Sequence, residues 1–458
     1  MASGHRRRVR HGGPGSCGPA VTDAERGDPY TPEVGTDAYR VEHYDLDLDY
    51  RVARNRLRGT ATITAVARES LRRIDLSLAG LRASAVRVNG RKDTRHVQRG
   101  VTLAVTPPEP IPEGARFTVV VDYAGQPAPR RTHWGEVGWE ELSDGVLVAS
   151  QPSGSATWFP CNDRPDDRAT YRIRVAAEAP YTVVCSGRLI SRTEQSGRRS
   201  WVYEQQAPTA PYLATVQIGR YRTQSVSAGG TAVSLTFPPS IEARVRQDFA
   251  PVPSMLSFFE SVFGRYPFET YHVVVTEDEL EIPIEAQAMA VFGANHADGT
   301  GAAERLIAHE LAHQWFGNSV GVGQWRHIWL NEGLACYAEW LWSEHRGGPS
   351  ADSIAHTHWS RLARLGQDLV IGDPGAASMF DDRVYKRGAL TVHAVRLTLG
   401  NAAFFALLQR WTAGHRLGTV STGDFIAESG LDQDFFRPWL FEAHLPRLPK
   451  PGSPVLSR

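Results

Sequence analysis

A pair of histidines places the strongest constraint on how this chain folds. Residues 309–313 read HELAH, and Glu332 follows with 18 residues between it and His313. In a helix, His309 and His313 lie one turn apart on one face, with roughly 5–6 Å between their Cβ atoms. Apolar residues around the motif predict that this helix is buried, where two imidazoles are costly without a shared partner. A second helix, predicted over 330–344, must therefore bring Glu332 against the first.

The chemistry of these side chains indicates a metal. Two neutral imidazoles and one carboxylate are a known ligand set for catalytic zinc, with the fourth position left to water. Glu310 is adjacent to a ligand, so we predict that it acts as general base toward that water and later as proton donor to the leaving group, which would be an amine if the substrate is a peptide. The sequence thus predicts a metal-activated hydrolase that holds one zinc ion with His309, His313 and Glu332; the residues alone do not exclude cobalt or manganese. The alternative is a surface helix with two solvated histidines, which the apolar neighbours disfavour.

A further carboxylate lies on the helix that carries Glu332. Glu339 follows seven residues later, two helical turns away, so it shares a face with Glu332. Such a carboxylate can hold a ligand histidine in one tautomer, and we predict this role for Glu339, with a solvated helix face as the alternative. Cys336, one turn after Glu332, is interpreted as a small core residue rather than a thiol ligand.

Two runs of sequence carry a family resemblance. Residues 309–318 read HELAHQWFGN and residues 329–333 read WLNEG. Both runs, and the spacing between them, resemble the gluzincin zinc aminopeptidases, the aminopeptidase N and leukotriene hydrolase group. The resemblance extends from about Tyr39 to the end of the chain. It implies a zinc enzyme that hydrolyses the N-terminal peptide bond of peptides with a free N-terminus.

The resemblance also implies a role for Tyr385. Residues 384–388 read VYKRG and match the family's Tyr-x-Lys/Arg-Gly pattern, whose tyrosine hydroxyl stabilises the tetrahedral oxyanion of hydrolysis. From the residues alone, Tyr385 would be a half-buried aromatic. Many relatives carry a further helical domain after this region, whereas this chain stops about seventy residues later. We therefore expect a short bacterial form without that domain, whose site is more open or is closed by oligomerisation.

Recognition of a free amine is expected at two further positions. The family uses the glutamate of a Gly-Ala-Met-Glu-Asn segment, and the matching stretch 282–286 reads IPIEA, so only Glu285 is retained. A solvated loop charge is the alternative for Glu285. The family's second amine contact is a glutamate upstream of an aromatic-Pro-Cys segment, here within 158–163, and Gln151 holds its position. A neutral amide accepts a hydrogen bond but supplies no charge, so we expect weaker anchoring of the amine.

The hydrophobic pattern divides the chain into three parts. Residues 1–28 are basic and rich in glycine, which is typical of a disordered tail. Residues 29–225 contain period-two runs separated by Pro, Gly and Asp clusters, and they predict an all-β domain. Residues 226–458, after a polar stretch interpreted as a linker at 225–230, predict an α+β catalytic domain of thermolysin type. The fold class is therefore multidomain.

Individual elements are predicted from the same periodicity. Strands are expected at 44–50, 60–66, 117–123, 169–175, 181–185 and 271–276. Helices are expected at 241–263, 302–316, 330–344, 383–399 and 402–415.

Composition limits the partners and the compartment. The 458 residues contain 50 basic and 50 acidic side chains, so nothing global indicates nucleic acid or an anionic membrane as a partner. No apolar run is long enough to span a membrane, and no apolar segment of a secretory signal follows Arg6–Arg8. The four cysteines are scattered, which indicates free thiols in a reducing cytoplasm. We expect a cytoplasmic monomer or weak homo-oligomer.

The sequence is also compatible with other functions. The altered residues around Glu285 leave room for a zinc endopeptidase. A non-catalytic peptide-binding protein is less compatible with an intact motif and Tyr385. Epoxide hydrolysis of a lipid has no specific support in the sequence.

Overall fold

The alternation of apolar and acidic residues that begins at Tyr44 forms the first long strand. In a computed structural model that describes residues 27–228 and 230–450, strand β1 (Tyr39–Arg51) buries Tyr44, Leu46 and Leu48 completely. The aspartates between them face outward, as period-two side chains must. Residues 1–26 of the tail predicted at 1–28 lie outside the described residues. Asp28 is buried and accepts a hydrogen bond from the backbone of Trp325, so the tail prediction is wrong at this position.

Three β-sheets make up the N-terminal part, as predicted for an all-β domain. Its strands are β1, β2 (Arg56–Ala67), β3 (Ile74–Ser77), β4 (Arg82–Val88), β5 (Arg95–Arg99), β6 (Thr102–Thr106), β7 (Arg116–Gly125), β8 (Arg130–Thr132), β9 (Gly135–Leu142), β10 (Gly145–Ala149), β11 (Ala169–Glu178), β12 (Thr182–Cys185), β13 (Arg188–Gln195), β14 (Arg198–Thr209) and β15 (Val216–Gly219). The sheets have the orders β13-β14-β11-β1-β2-β7-β4, β12-β15-β10-β9-β8 and β3-β6-β5. All pairings in the seven-stranded sheet are antiparallel except β1 with β11.

A mixed sheet opens the catalytic part. Its strands are β16 (Arg222–Ala228), β17 (Thr231–Phe237), β18 (Thr270–Val275), β19 (Ile284–Ala286) and β20 (Met289–Phe292), in the order β16-β17-β18-β20-β19. A two-stranded sheet of β21 (Gly321–Val322) and β22 (Thr419–Val420) follows. The linker predicted at 225–230 is wrong, because Ser225 pairs with Ser234 inside the β16–β17 hairpin. β15 belongs to a sheet of the N-terminal part and β16 to the mixed sheet. The boundary between the two parts therefore lies between these strands, a few residues before the predicted position at 225/226.

The rest of the catalytic part is mainly helical, which confirms the α+β class. Its helices are α1 (Glu242–Asp248), α2 (Val252–Phe263), α3 (Glu304–Ala312), α4 (Trp329–His345), α5 (Ala351–Leu362), α6 (Asp382–Leu399), α7 (Asn401–Gly414), α8 (Thr422–Ser429) and α9 (Gln433–Phe436). The single helix predicted at 241–263 is divided into α1 and α2, because Pro251 has no N–H to continue the first helix and disfavours helical backbone before it. The helix predicted at 302–316 is shorter and ends at Ala312.

Apolar contacts join the two parts of the molecule. Each part has its own large core, and a third, small cluster lies between them, with Leu147 and Val184 on one side and Val274 and Met289 on the other. The cysteines at 161, 185 and 336 are buried and unpaired, as expected, whereas Cys17 lies outside the described residues. Within the described ranges, we find no helix that combines the length and apolar character needed to cross a membrane.

Candidate metal centre

Two packed helices bring the predicted ligands together. His309 lies in α3 and His313 caps its C-terminal end, while α4 packs against α3 and carries Glu332 in its first turn. The Nε2 atoms of the two histidines are 3.1 Å apart. Oε2 of Glu332 lies 3.4 Å from Nε2 of His313 and 3.6 Å from Nε2 of His309. The three donor atoms therefore converge on one point between the helices.

The triangle of donor atoms fits zinc. Tetrahedral zinc with bonds of 2.0–2.1 Å holds its ligand atoms about 3.3 Å apart, and the three observed separations bracket this value. All three side chains are at least nine-tenths buried. Two nitrogens and one carboxylate oxygen also match the ligand chemistry that zinc accepts in catalytic sites. His309, His313 and Glu332 could therefore hold a zinc ion.

Hydrogen bonds orient both imidazoles. Nδ1 of His309 lies 2.7 Å from Oε1 of Glu339, and Nδ1 of His313 lies 3.0 Å from the carbonyl oxygen of Phe316. When both Nδ1 atoms donate to these acceptors, both Nε2 atoms keep a free lone pair toward the centre. Glu339 also accepts a hydrogen bond of 2.8 Å from Arg305. With only 4% of its surface exposed, Glu339 does not lie on a solvated helix face.

The charges at the centre favour a cation. Burial lowers the pKa of His313, but Glu332 and Glu285 outweigh burial and raise it to about 10. Burial likewise opposes the charge of His309, yet its contacts with Glu332 and Glu339 raise its pKa to about 9. Burial raises the pKa of Glu332, but the two histidines lower it to about 2. A site that stabilises protons this strongly would also stabilise a divalent ion that displaces them.

Glu310 presents a carboxylate oxygen without a partner. Its Oε2 atom is buried and has no hydrogen-bond partner among the described residues. Donor atoms of Glu310, Glu285 and His313 all lie within 4.8 Å of one another. Burial raises the pKa of Glu310 to about 7 despite the nearby histidines. A carboxyl group of this kind can accept and release a proton near neutral pH, which is the property required of a general base.

Glu285 and Gln151 meet beside the centre, although they come from different parts of the chain. Glu285 lies on β19, half-buried, and Gln151 follows β10 in the N-terminal part. Nε2 of Gln151 donates a hydrogen bond of 2.7 Å to Oε1 of Glu285. Burial raises the pKa of Glu285. Glu285 is thus part of an interdomain pair and not a solvated loop charge.

Tyr385 lies on the other flank of His309. It occupies the first turn of α6, and its ring stacks on the His309 ring with centroids 6.2 Å apart and 21° between the planes. The close approach of α4 and α6 requires two glycines, because a Cβ atom on Gly333 would lie 2.8 Å from Cα of Gly388. Burial and the site carboxylates raise the pKa of Tyr385 well above its ordinary value, so its hydroxyl keeps its proton and can donate.

Comparison with known proteins agrees with this architecture. Residues 40–213 match the Peptidase M1 N-terminal domain and residues 249–433 match the Peptidase family M1 domain. The crystal structure of an M1 zinc metallopeptidase mutant from Deinococcus radiodurans, bound to a Tyr-Ser-Ala substrate, superposes with a TM-score of 0.85 at 30% identity, over 93% of this chain and 99% of that chain. This chain belongs to peptidase family M1.

Longer members of the M1 family are also similar to it. Human endoplasmic reticulum aminopeptidase 1 is 25% identical over 83% of this chain and 44% of its own length. Leukotriene A-4 hydrolase from Xenopus laevis is 23% identical over 66% of this chain and 51% of its own length. The chain therefore spans about half the length of these curated relatives.

Two contacts of this M1 centre were not predicted from the sequence. Arg305 lies four residues before His309, and this spacing on one helix face was the available signal for its contact with Glu339. Cys336 was interpreted as a core residue, and its sulfur accepts a hydrogen bond of 3.2 Å from Lys386. That bond joins α4 to α6 at the residue that follows Tyr385, and no spacing along the chain indicated it.

Proposed function

We propose that this chain is a zinc-dependent aminopeptidase that hydrolyses the N-terminal peptide bond of peptides with a free α-amine. The observation that supports this proposal most strongly is the position of Glu285. Its carboxylate lies within 4.8 Å of donor atoms of Glu310 and His313. An ammonium group held there would place the first peptide bond, and no later one, at the centre.

The ligand set would be His309, His313 and Glu332. A zinc ion held there would supply a Lewis acid for the scissile carbonyl and for the attacking water. Glu310 takes a proton from the attacking water with its unpartnered Oε2 atom and later delivers it to the leaving amine. The protonated hydroxyl of Tyr385 donates to the developing oxyanion, which needs a second electrophile beside the metal.

The amine subsite would be shared between the two parts of the chain. A protonated α-amine offers three N–H donors, and Glu285 accepts with a charged oxygen. Gln151 donates a hydrogen bond from Nε2 to Glu285, so its amide oxygen is left as an uncharged acceptor for the amine. Because only one carboxylate faces the ammonium, we propose that this subsite binds the amine more weakly than a pair of carboxylates would.

The Gln151–Glu285 pair also favours an aminopeptidase over an endopeptidase. An endopeptidase needs an open path for the chain that precedes the scissile bond, whereas the Gln151–Glu285 pair occupies the space beside Glu310 and His313. The test is a panel of aminoacyl fluorogenic substrates and their N-acetylated counterparts, each assayed with and without a metal chelator. Chelator-sensitive cleavage of the free-amine series alone is the expected result. Equal cleavage of the acetylated series would instead identify an endopeptidase.

We also propose a cytoplasmic location and a monomer or weak homo-oligomer that acts on peptides, without nucleic acid or membrane as a partner. Three buried, unpaired thiols and the balanced charge of the chain support this environment. Cell fractionation tests the location, and light scattering over a range of protein concentrations tests the oligomeric state. A secreted protein or a tight oligomer would contradict these assignments.

A further inference from the structure

Arg168 is a partly buried cation that is held by backbone and amide oxygens. It directly precedes β11 in the N-terminal part. Its guanidinium donates to the carbonyl oxygens of Pro208 at 3.2 Å and Gly418 at 3.4 Å, to the side-chain oxygen of Gln287 at 3.1 Å, and to the carbonyl oxygen of Asn318. In the described parts of the chain, Arg168 forms no ion pair with a carboxylate. Burial lowers its pKa to about 10, so it stays charged at neutral pH.

Burial of the Arg168 guanidinium without a counter-ion is energetically unfavourable by itself. Removing a charge from water without a counter-ion is unfavourable unless several polar groups replace the lost hydration. Arginine can satisfy this condition because its planar group carries five N–H donors in a fixed geometry, which lysine cannot reproduce. Here the four acceptors come from separate segments of the chain, so a single side chain holds all of them at fixed distances from one another.

Two of these acceptors belong to the segments that build the candidate site. Gln287 follows Glu285 by two residues, and Asn318 follows His313 by five. Nδ2 of Asn318 also donates 2.8 Å to the carbonyl oxygen of Ala286. Arg168 and Asn318 therefore fasten the strand of Glu285 to the turn that follows His313.

Gln314 adds a second connection between the same two segments. Its side-chain oxygen accepts a hydrogen bond of 2.8 Å from the backbone of Ala288, and its Nε2 atom lies 3.3 Å from the carbonyl oxygen of Ala286. Gln314 and Asn318 are completely buried. The polar network thus links the N-terminal part, the strand β19 and the end of α3 in one continuous set of hydrogen bonds.

The strand that carries Glu285 depends on these contacts. β19 contains three residues and lies at the edge of its sheet, where β20 is its only strand neighbour in the described part of the chain. In contrast, α3 is packed into the large core through Ile307 and Leu311. If the network is weakened, β19 will move more readily than the metal centre.

We propose that Arg168 is a positioning residue that fixes Glu285 relative to the metal centre from across the domain boundary, and thereby sets the requirement for a free amine. This inference rests on the proposed aminopeptidase function. Arg168 does not touch the substrate; it acts through Gln287 and Asn318. Its loss weakens selection for the free amine while the metal ligands stay in place.

The experiment compares Arg168→Met with wild-type protein, both loaded with zinc. Arg172→Met is the matched control, because Arg172 lies on the following strand β11 and pairs with Asp45 at the surface. Binding of phenylalaninamide and of its N-acetyl form is measured by calorimetry, together with zinc content, melting temperature, KM and kcat. Arg168→Lys keeps the positive charge but has fewer N–H donors. It replaces the methionine variant in this comparison if that variant folds poorly.

We expect Arg168→Met to raise KM for free-amine substrates and to weaken phenylalaninamide binding by roughly ten- to a hundredfold, the scale of a lost hydrogen bond to a charged group. Zinc content and N-acetyl binding stay unchanged, Arg168→Lys is intermediate, and Arg172→Met matches wild type. An unchanged amine preference in folded Arg168 variants overturns the positioning role alone. A variant that loses stability or active fraction but keeps its amine preference also overturns the positioning role alone. A wild-type protein without any amine preference overturns the proposed function and this inference with it.

Discussion

The amide nitrogen of Gln151 donates a 2.7 Å hydrogen bond to Oε1 of Glu285, and this contact joins the two parts of the chain at the proposed amine subsite. With glutamate at this position, two carboxylates would face each other, and their repulsion would have to be relieved by a proton or a bound cation. Gln151 removes that requirement. The subsite is therefore stable when empty, but it contributes one negative charge fewer to a bound ammonium group.

Replacement of Gln151 by glutamate tests this interpretation. A hydrogen bond to a charged acceptor is worth about 1 kcal/mol more than one to a neutral amide. We expect Gln151→Glu to lower KM for aminoacyl substrates about fivefold at neutral pH, because the ammonium then contacts two carboxylates. N-acetylated analogues should show no gain. If kcat/KM for the free-amine series does not change, the side chain at position 151 does not anchor the amine.

Glu310 provides the most direct test of the chemistry. Glu310→Gln keeps the size of the side chain and removes its ability to take a proton. We expect kcat to fall roughly 10²- to 10⁴-fold, the usual contribution of a general base. Zinc content, measured by atomic absorption, should remain at the wild-type value because Glu310 is not among the three ligands. Full activity in this variant would contradict the proposed mechanism.

The local parts of this structure could be predicted from the sequence. The alternation at Tyr44 predicted β1, and the helical period predicted α4 and α6 to within one residue at their N-terminal ends. Metal-ligand spacing is local as well, since His309 and His313 share one helix face. These features depend on neighbours a few residues away, so the periodicity of the chain is sufficient to identify them.

Contacts between distant segments could not be predicted in this way. Nothing in the spacing of Gln151 and Glu285 indicates that one donates to the other across 134 residues. No motif or spacing singles out Arg168, because its four acceptors come from both parts of the chain. The break between α1 and α2 was missed because the apolar period continues through Pro251, where the missing N–H decides against a continuous helix.

Glu339 is expected to affect metal binding more than the chemical step. Its carboxylate accepts from Nδ1 of His309 and so keeps the ligand nitrogen of that imidazole facing the centre. Loss of such a supporting carboxylate typically costs 10- to 100-fold in metal affinity. We predict a decrease of this size for Glu339→Gln in a chelator competition titration. Glu344→Gln is the control, since Glu344 lies on the same helix but pairs with Arg396; equal losses in both variants would exclude a specific role for Glu339.

Tyr385 should affect turnover and leave substrate binding nearly unchanged. Tyr385→Phe retains the ring that stacks on His309 but removes the hydroxyl that donates to the oxyanion. Because this hydrogen bond forms only as charge develops, we expect kcat to fall roughly 10²- to 10³-fold, as for other oxyanion donors, with little change in KM. Thermal unfolding and zinc content serve as controls for the retained ring contact. A variant in which KM rises while kcat is kept would instead assign Tyr385 to substrate binding, because a contact that is equally strong in the ground state and the transition state changes KM alone.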